Sequence, residues 1–339
     1  MDVISLFSGC GGLDLGFKKN GFNIIFANDF DINVWETYER NHGTPIDRRP
    51  IQKIPSNDIP DAHGIIGGPP CQSWSVAGLM SGINDERGRA FYDYIRILKD
   101  KRPLFFVAEN VPGIITAPHI KEFKKIIEKF EDLHYTVSYL PIDARNYGVP
   151  QERKRVIIVG YLDELNKKFH FPRPTHQKMQ NILLDNTKMK KFVTLKEAIG
   201  DLDENAISAC GNTRANEKLP IPNHEYRNGG FSYIYMSRNR RRSWEEQSFT
   251  IQAAGRQIPL HPSSSKMVKV AKDVFRFSND CNRRLSVREC ARIQTFPDDF
   301  IFYYSILDYG YKMIGNAVPV TLAEVIAKKI KKDLQNVKV

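Results

Sequence analysis

No apolar run in this sequence approaches the length of a membrane span, so a membrane protein is not expected. Met1-Asp2-Val3-Ile4-Ser5 puts no basic segment ahead of its apolar residues, and no secretory signal is read there. Cysteine is sparse. Cys10, Cys71, Cys210, Cys281 and Cys290 are odd in number, widely spaced and never arranged as C-x-x-C. That pattern argues against a disulfide framework and a structural zinc site; a reducing cytoplasm fits, and no metal is expected. A phosphate-binding G-x-G-x-x-G is missing as well, and no P-loop lysine follows the first glycines. What is present is a globular composition, with 41% hydrophobic and 26% charged residues. The 339 residues can build one large domain and a smaller one. The net charge of +11 points to an anionic partner, nucleic acid first.

The chain opens with alternating strands and helices, an α/β pattern. Val3 to Phe7 reads as a strand, Ser8-Gly9-Cys10-Gly11-Gly12 as a turn, and Leu13, Leu15 and Phe17 as the start of a helix. A second strand, Asn23 to Ala27, ends at Asn28-Asp29, where a carboxylate can accept from ribose hydroxyls. With G-x-G-G spacing, a nucleoside ligand without a pyrophosphate fits better than a dinucleotide. Gly64-Ile65-Ile66 is the tail of a buried strand, and Gly67-Gly68-Pro69-Pro70 delivers Cys71 on a stiff loop at the sheet's lip. A thiol there is a candidate nucleophile. Leu104 to Ala108 is a third buried strand and ends at Glu109, a carboxylate costly to place there without a task. Helices are expected at Ile32 to Arg40, around Phe91, Tyr94, Ile95 and Leu98, and from Ile120 to Phe130. Gln151, Arg153 and Arg155 alternate ahead of the strand Val156 to Gly160, so all three are expected on one face. Two arginines there can hold an anion or a carbonyl oxygen.

After about Gln177 the alternation stops, and a polar, loop-rich segment follows to about Ser286. The expected division is 1–176 with 308–339, and 177–307. Arg238, Arg240, Arg241, Arg242 and Arg256 lie among asparagine, glutamine and tryptophan. Arginine is the residue best suited to read guanine in a major groove. Ser286 with Glu289 three residues on predicts a capped helix, and a last helix runs to about Leu334.

Phe7-Ser8-Gly9-Cys10-Gly11-Gly12, Gly68-Pro69-Pro70-Cys71-Gln72, Glu109-Asn110-Val111, Gln151-x-Arg153-x-Arg155, Arg284 to Gln294 and Gly315-Asn316-Ala317-Val318-Pro319 occur in that order. With these motifs the chain resembles the DNA cytosine-5 methyltransferases over nearly its whole length. Pro222 to Tyr226 and Met236 to Gln257 also resemble the bacterial HaeIII-type enzymes, which methylate the inner cytosine of GGCC. The resemblance implies a Rossmann-like S-adenosylmethionine-dependent methyltransferase domain with a mostly parallel sheet, and a smaller target-recognition domain with a hinge. It implies Cys71 as the thiolate that attacks carbon 6 of a flipped-out cytosine, and Glu109 at ring nitrogen 3 and the exocyclic amine. Arg155, with Arg153, would hold the ring carbonyl oxygen. Phe7, Gly9, Cys10, Gly12, Asp29, Phe30, Pro50, Ile51, Pro70, Asn316 and Val318 would hold S-adenosylmethionine, leaving S-adenosylhomocysteine as product.

Gln72, Ser75 and Arg87 would touch DNA from the catalytic loop, and Arg238, Arg240 and Arg256 would read it. The expected setting is a monomer in the cytoplasm acting on double-stranded DNA beside a cognate restriction endonuclease. Two departures stand out. Asp29 replaces the family's usual Glu, and Pro50 stands where an Asp often contacts the adenine amine, so either cofactor affinity is reduced or a neighbour such as Asp47 substitutes. The alternatives are a tRNA cytosine-5 methyltransferase on the same fold, a DNA-binding homologue with impaired catalysis, and a dinucleotide oxidoreductase with a catalytic thiol.

Overall fold

The computed structural model describes residues 1–70, 86–117, 119–178, 189–202, 206–211, 213–335 and 337. The chain divides into two compact units. One comprises Met1–Asp143, Lys154–Arg173 and Leu322–Val339, the other Ala144–Arg153 and Pro174–Thr321. Among the described residues no helix is long and apolar enough to cross a membrane.

The first unit is built on a seven-stranded sheet in the order β3-β2-β1-β4-β5-β7-β6. The strands are β1 Asp2–Leu6, β2 Asn23–Asn28, β3 Ile46–Asp47, β4 Gly64–Gly67, β5 Phe105–Asn110, β6 Tyr135–Asp143 and β7 Lys154–Leu162. From β3 through β5 every pairing is parallel, whereas β7 is antiparallel to both β5 and β6. The parallel strands carry near-continuous apolar runs because both faces are covered. All six residues of β5 are buried. Helices α1 Gly12–Lys19, α2 Ile32–His42, α3 Glu86–Lys101 and α4 Ile120–Asp132 connect them.

Each helix buries one stripe. Phe91, Tyr94 and Leu98 of α3 and Phe123, Ile126 and Phe130 of α4 enter a core with Phe106 and Tyr135. The Phe106 ring lies 4.5 Å from Phe130 and 5.2 Å from Tyr135. Burying each such ring contributes roughly 1.5–3 kcal/mol. The C-terminal helix Val320–Leu334 closes on α1, where a Cβ on Gly16 would lie 2.4 Å from Ala323 Cβ. Lys19 pairs with Glu324 at 2.8 Å, and Tyr161 OH donates to Asp333 at 2.9 Å.

The parallel run fixes the working edge. The strand order reverses between β1 and β4, and ligands of open α/β sheets bind at such a switch point, outside the carboxyl ends of the strands. Leu6 pairs with both Asn28 and Gly67, and Gly67 pairs with Ala108. Phe7, Asp29, Gly68 and Glu109 therefore follow one another along a single edge.

Beneath that edge lies a buried polar cluster. Asp14 accepts from Ser5 Oγ at 2.8 Å and from Tyr38 OH at 2.6 Å, and the Tyr38 ring stacks on His42 with centroids 4.4 Å apart. Burial raises the Asp14 carboxyl to about 6 from 3.8, and burial, with Lys18 nearby, lowers His42 to about 4 from 6.5. The two act oppositely on stability. Protonating Asp14 favours the folded chain, so its contribution is lost as pH rises from about 4 to 6. Protonating His42 favours the unfolded chain, so stability is lost as pH falls from about 6.5 to 4. Asp14→Asn should unmask the histidine: between pH 7 and pH 5 the variant should lose about 1 kcal/mol more than the wild type. Urea unfolding at the two pH values measures this, and equal losses in the two proteins contradict it.

In the second unit the strands are short: Met267–Ala271 pairs antiparallel with Val274–Phe277, and the remaining pairs span two residues each. The capped helix is Val287–Ile293. Glu289 N donates to Ser286 Oγ at 3.0 Å, and Ser286 N donates to Glu289 Oε2 at 2.7 Å. Glu289 is fully buried and takes Arg283 through both oxygens at 2.9 Å. A further helix, Leu307–Asn316, ends at the Gly315-Asn316 pair.

Candidate functional site

Glu109 is the penultimate residue of β5, and Arg155 the second residue of β7. Because β7 runs antiparallel, Glu109 pairs with Ile157, and the arginine two residues earlier reaches back over the strand end. Arg155 Nε stands 2.7 Å from Glu109 Oε1, with both side chains nearly buried. The N–H is poorly aligned on that oxygen, so the contact is a close charge pair rather than a linear hydrogen bond. Arg155 Nη1 donates to Lys154 O at 2.7 Å, which fixes the guanidinium plane.

The loop after β4 comes to the same place. A Cβ on Gly68 would sit 3.6 Å from Glu109 Oε2, and Asn110 Nδ2 donates to Pro69 O at 3.1 Å. Gly67 must be glycine for the strands to meet, since a Cβ there would lie 2.4 Å from Leu6 O. Cys71, Gln72 and Ser75, like the side chain of Arg87, lie outside the described residues. The chain reaches Pro70 one residue short of Cys71.

At the neighbouring strand ends, Phe7 and Gly9 both take the left-handed conformation, with φ of 54° and 56°. Gly9 N donates to Asp29 Oδ2 at 2.9 Å, and Asp31 N donates to Asp29 Oδ1 at 2.9 Å, so the carboxylate ties the β1 and β2 loops together. A Cβ on Gly9 would meet nothing within 4 Å, and the Phe30 ring is 63% exposed. Cys10 is buried, which pushes its thiol up and keeps it protonated. Gly12 begins α1 and is buried.

Pro50 precedes a short 3-10 turn, Ile51–Lys53, and the Ile51 side chain belongs to the core. Asp47, the substitute acceptor, is chelated by Arg49, with Nη2 2.6 Å from Oδ2 and Nε 3.1 Å from Oδ1. That partner holds its carboxyl below the usual range. Among the described residues no cluster of three or more His, Cys, Asp or Glu side chains could hold a metal ion.

Arg153 differs from the expectation of a face shared with Arg155. Its side chain is fully buried, and its guanidinium donates to Ile251 O at 3.3 Å, Gly315 O at 2.9 Å and Ala317 O at 2.8 Å. Gln151 accepts from Ile251 N at 2.8 Å and donates to Gln294 Oε1 at 3.0 Å, while Gln294 Nε2 donates to Ile314 O at 2.7 Å. The physical reason is the end of the helix Leu307–Asn316. Its last carbonyls lack intrahelical donors and carry partial negative charge, and a cation with several N–H groups satisfies both needs. Asn316 and Val318 are set by this clamp. Gln294 went unread as a site residue: the signal was its place at the foot of the capped helix, and its partners lie far away in sequence.

The arginine-rich segment of the second unit separates into engaged and free members. Arg240 is 5% exposed; its Nε donates to Tyr235 O at 3.1 Å, and its Nη2 to Ile234 O at 3.3 Å and Gln257 Oε1 at 2.6 Å. Arg241 donates to Ser264 O and Pro262 O, and Arg242 pairs with Glu152 at 2.9 Å and Glu246 at 3.0 Å. Arg238 and Arg256 are exposed, with no ion-pair partner among the described residues. A cleft of about 190 Å³ opens here, lined by Arg238, Arg240, Phe249, Gln252 and Gln257 among others.

A sequence profile of the C-5 cytosine-specific DNA methylases matches residues 1–332. The type II methyltransferase M.MthTI of Methanothermobacter thermautotrophicus is 56% identical over 340 residues, covering 99% of each chain. M.FnuDI of Fusobacterium nucleatum is 49% identical, covering 98% of this chain and 95% of its own. M.NgoPII of Neisseria gonorrhoeae is 47% identical, covering 99% and 96%. Among solved structures, a DNA modification methyltransferase encoded within an E. coli prophage shares the fold, with a TM-score of 0.72 and 23% identity over 99% of this chain and 100% of its own.

Proposed function

The chain belongs to the C-5 cytosine-specific DNA methylases, of the type II restriction–modification style, and from this we propose a site, a mechanism and a target sequence. The relatives do not favour a tRNA methyltransferase, a catalytically impaired homologue or an oxidoreductase. The observation that carries the reading is the Arg155–Glu109 pair at the carboxyl edge of the sheet, beside the loop that leads to Cys71.

S-adenosylmethionine is the family's methyl donor, and the first unit offers fitting residues. Phe30 presents an open apolar ring suited to stacking on an adenine, Asp29 a carboxylate suited to ribose hydroxyls, and Gly9 open space where any other residue would carry a Cβ. Phe7, Cys10, Gly12, Pro50, Ile51 and Pro70 complete the proposed set in this unit; Asn316 and Val318 are carried by the resemblance alone. Pro50 supplies no side-chain acceptor and Asp47 is held by Arg49, so this chain binds the adenine amine without a carboxylate at either position.

The target cytosine lies inside a duplex and must be flipped out to be reached. Cys71 as thiolate adds to carbon 6, forming an S–C6 bond and making carbon 5 nucleophilic. Glu109 holds or protonates ring nitrogen 3 and contacts the exocyclic amine, which draws charge away from the ring as the thiolate attacks. Arg155 keeps Glu109 in place and stabilises charge at the ring carbonyl oxygen. When bound, S-adenosylmethionine supplies the methyl group to carbon 5. A base then takes the carbon 5 proton, the S–C6 bond breaks and the thiolate of Cys71 is restored.

The second unit is the proposed target reader, with Arg238 and Arg256 free to meet bases and phosphates and Arg240 anchored beside them. Gln72, Ser75 and Arg87 would contact DNA around the flipped base. The proposed site is GGCC, protected by a monomer against a cognate endonuclease. Bisulfite sequencing of DNA from cells expressing the protein tests this. Methylation of the inner cytosine of GGCC is the expected result, and methylation confined to another sequence rejects the target while leaving the chemistry intact.

A further inference from the structure

The cleft in the second unit holds a glutamine whose amide cannot turn. Gln257 ends the short turn Gly255–Gln257. That turn is seated on the helix Leu307–Asn316 so closely that a Cβ on Gly255 would lie 2.0 Å from Asp308 Oδ1 and 3.0 Å from Tyr311 Cδ2. Arg227 pins Asp308 at 2.6 Å. On the other side Tyr235 OH donates to Ile258 O at 2.9 Å, and Leu260 N donates to Arg240 O at 3.0 Å. Turn and arginine therefore belong to one frame.

Arg240 Nη2 stands 2.6 Å from the Gln257 amide. A guanidinium has only donors, so the amide atom facing it is the carbonyl oxygen, and the bond is charge-assisted. The –NH2 group is thereby turned the other way. It has no hydrogen-bond partner among the described residues, and Gln257 lines the cleft. Glu152, the carboxylate of the lining, is taken by Arg145 at 2.7 Å and Arg242 at 2.9 Å.

An unconstrained glutamine reads adenine through both amide atoms, accepting from N6 and donating to N7. Here the accepting atom is occupied. What remains is a donor, which matches the two acceptors, O6 and N7, on the major-groove edge of guanine and opposes the amino group of cytosine. We infer that Gln257 selects guanine at one position of the target, and that Arg240 is the positioning residue that fixes its amide with the donors outward. The inference rests on the reading of the second unit as the part that meets duplex DNA.

The experiment uses the full-length protein and S-adenosylmethionine on a duplex library randomised around a central cytosine, with bisulfite sequencing as readout. Wild type, Gln257→Glu and Arg240→Met are compared. Gln257→Glu should lose preference for guanine at one position by roughly 10- to 100-fold and gain cytosine or adenine there. Arg240→Met, which frees the amide to rotate, should admit adenine at that same position by roughly 10-fold. A purely structural role for Arg240 would lower all methylation together without moving one position. If Gln257→Glu yields no folded protein, Gln257→Met gives the same readout, with guanine and adenine becoming equivalent at that position. Profiles unchanged in sequence preference, or shifts at two different positions, overturn the inference. A wild-type profile other than GGCC removes the proposed target, yet the inference still stands if both variants move one guanine position together. A profile with no guanine preference removes both.

Discussion

A duplex with 5-fluorocytosine at the target position should become covalently attached to the wild-type protein in the presence of S-adenosylmethionine, and should not attach to Cys71→Ala. The fluorine cannot leave as a proton does, so the reaction stops with the S–C6 bond in place. With ordinary DNA, methyl transfer by the variant should fall at least about 1,000-fold, because the substitution removes the thiolate proposed to add to carbon 6. The structural grounds lie in the residues on either side of the thiol. β4 ends at Gly67, pressed on Leu6, and the Asn110 side chain holds Pro69 O, so the chain is held beside Glu109 as far as Pro69. Denaturing electrophoresis with tritiated cofactor reads both protein and DNA in one band. A labelled band that persists in Cys71→Ala would assign the nucleophile elsewhere.

The second large effect concerns two arginines that the sequence presents as equals. Arg153→Met should cost roughly 3–5 kcal/mol of stability, since it removes a buried charge that donates to Ile251 O and, at the end of the helix Leu307–Asn316, to Gly315 O and Ala317 O, the last of which keeps only a 3.2 Å bond from Gln294. Denaturant unfolding should show the loss, with little soluble protein at 37 °C. Arg155→Met should instead remain folded and lose turnover by roughly 100-fold or more, because it removes the charge beside Glu109. If the two variants behave alike in both assays, the division of labour drawn from their partners is wrong.

That contrast marks where sequence reading stops. The apolar strands, the carboxylate at the end of β5 and the glycine turn after β1 were legible, because burial of both sheet faces leaves continuous apolar runs that end abruptly at polar residues and glycines. Period-two alternation put Gln151, Arg153 and Arg155 on one face. The strand itself starts only at Lys154, and the partners of Arg153 lie 98 to 164 residues away, so no local pattern could show them. β3 was hidden in a loop rich in proline and aspartate, with only Ile46 and Asp47 pairing. Among the arginines of the second unit, composition marks a basic cluster but not its engaged members. Arg240 differs from Arg238 only because Tyr235 and Gln257 fold onto it. Gln257 itself carries no sequence signal; its role comes from which of its two amide atoms is already occupied.

The clamp made by Arg153 also sets a timetable for synthesis. The arginine leaves the ribosome 162 residues ahead of Gly315 and 164 ahead of Ala317. At about 5–20 residues per second, it waits roughly 10–30 s for these two acceptors. During that interval the segment Ala144–Arg153 can meet only its earlier partners, such as Ser248 and Ile251, and the bonds from Arg153 to Gly315 and Ala317 are still missing. A nascent chain stalled before position 315 would therefore hold the Arg153 guanidinium by Ile251 O and not by the end of the helix Leu307–Asn316.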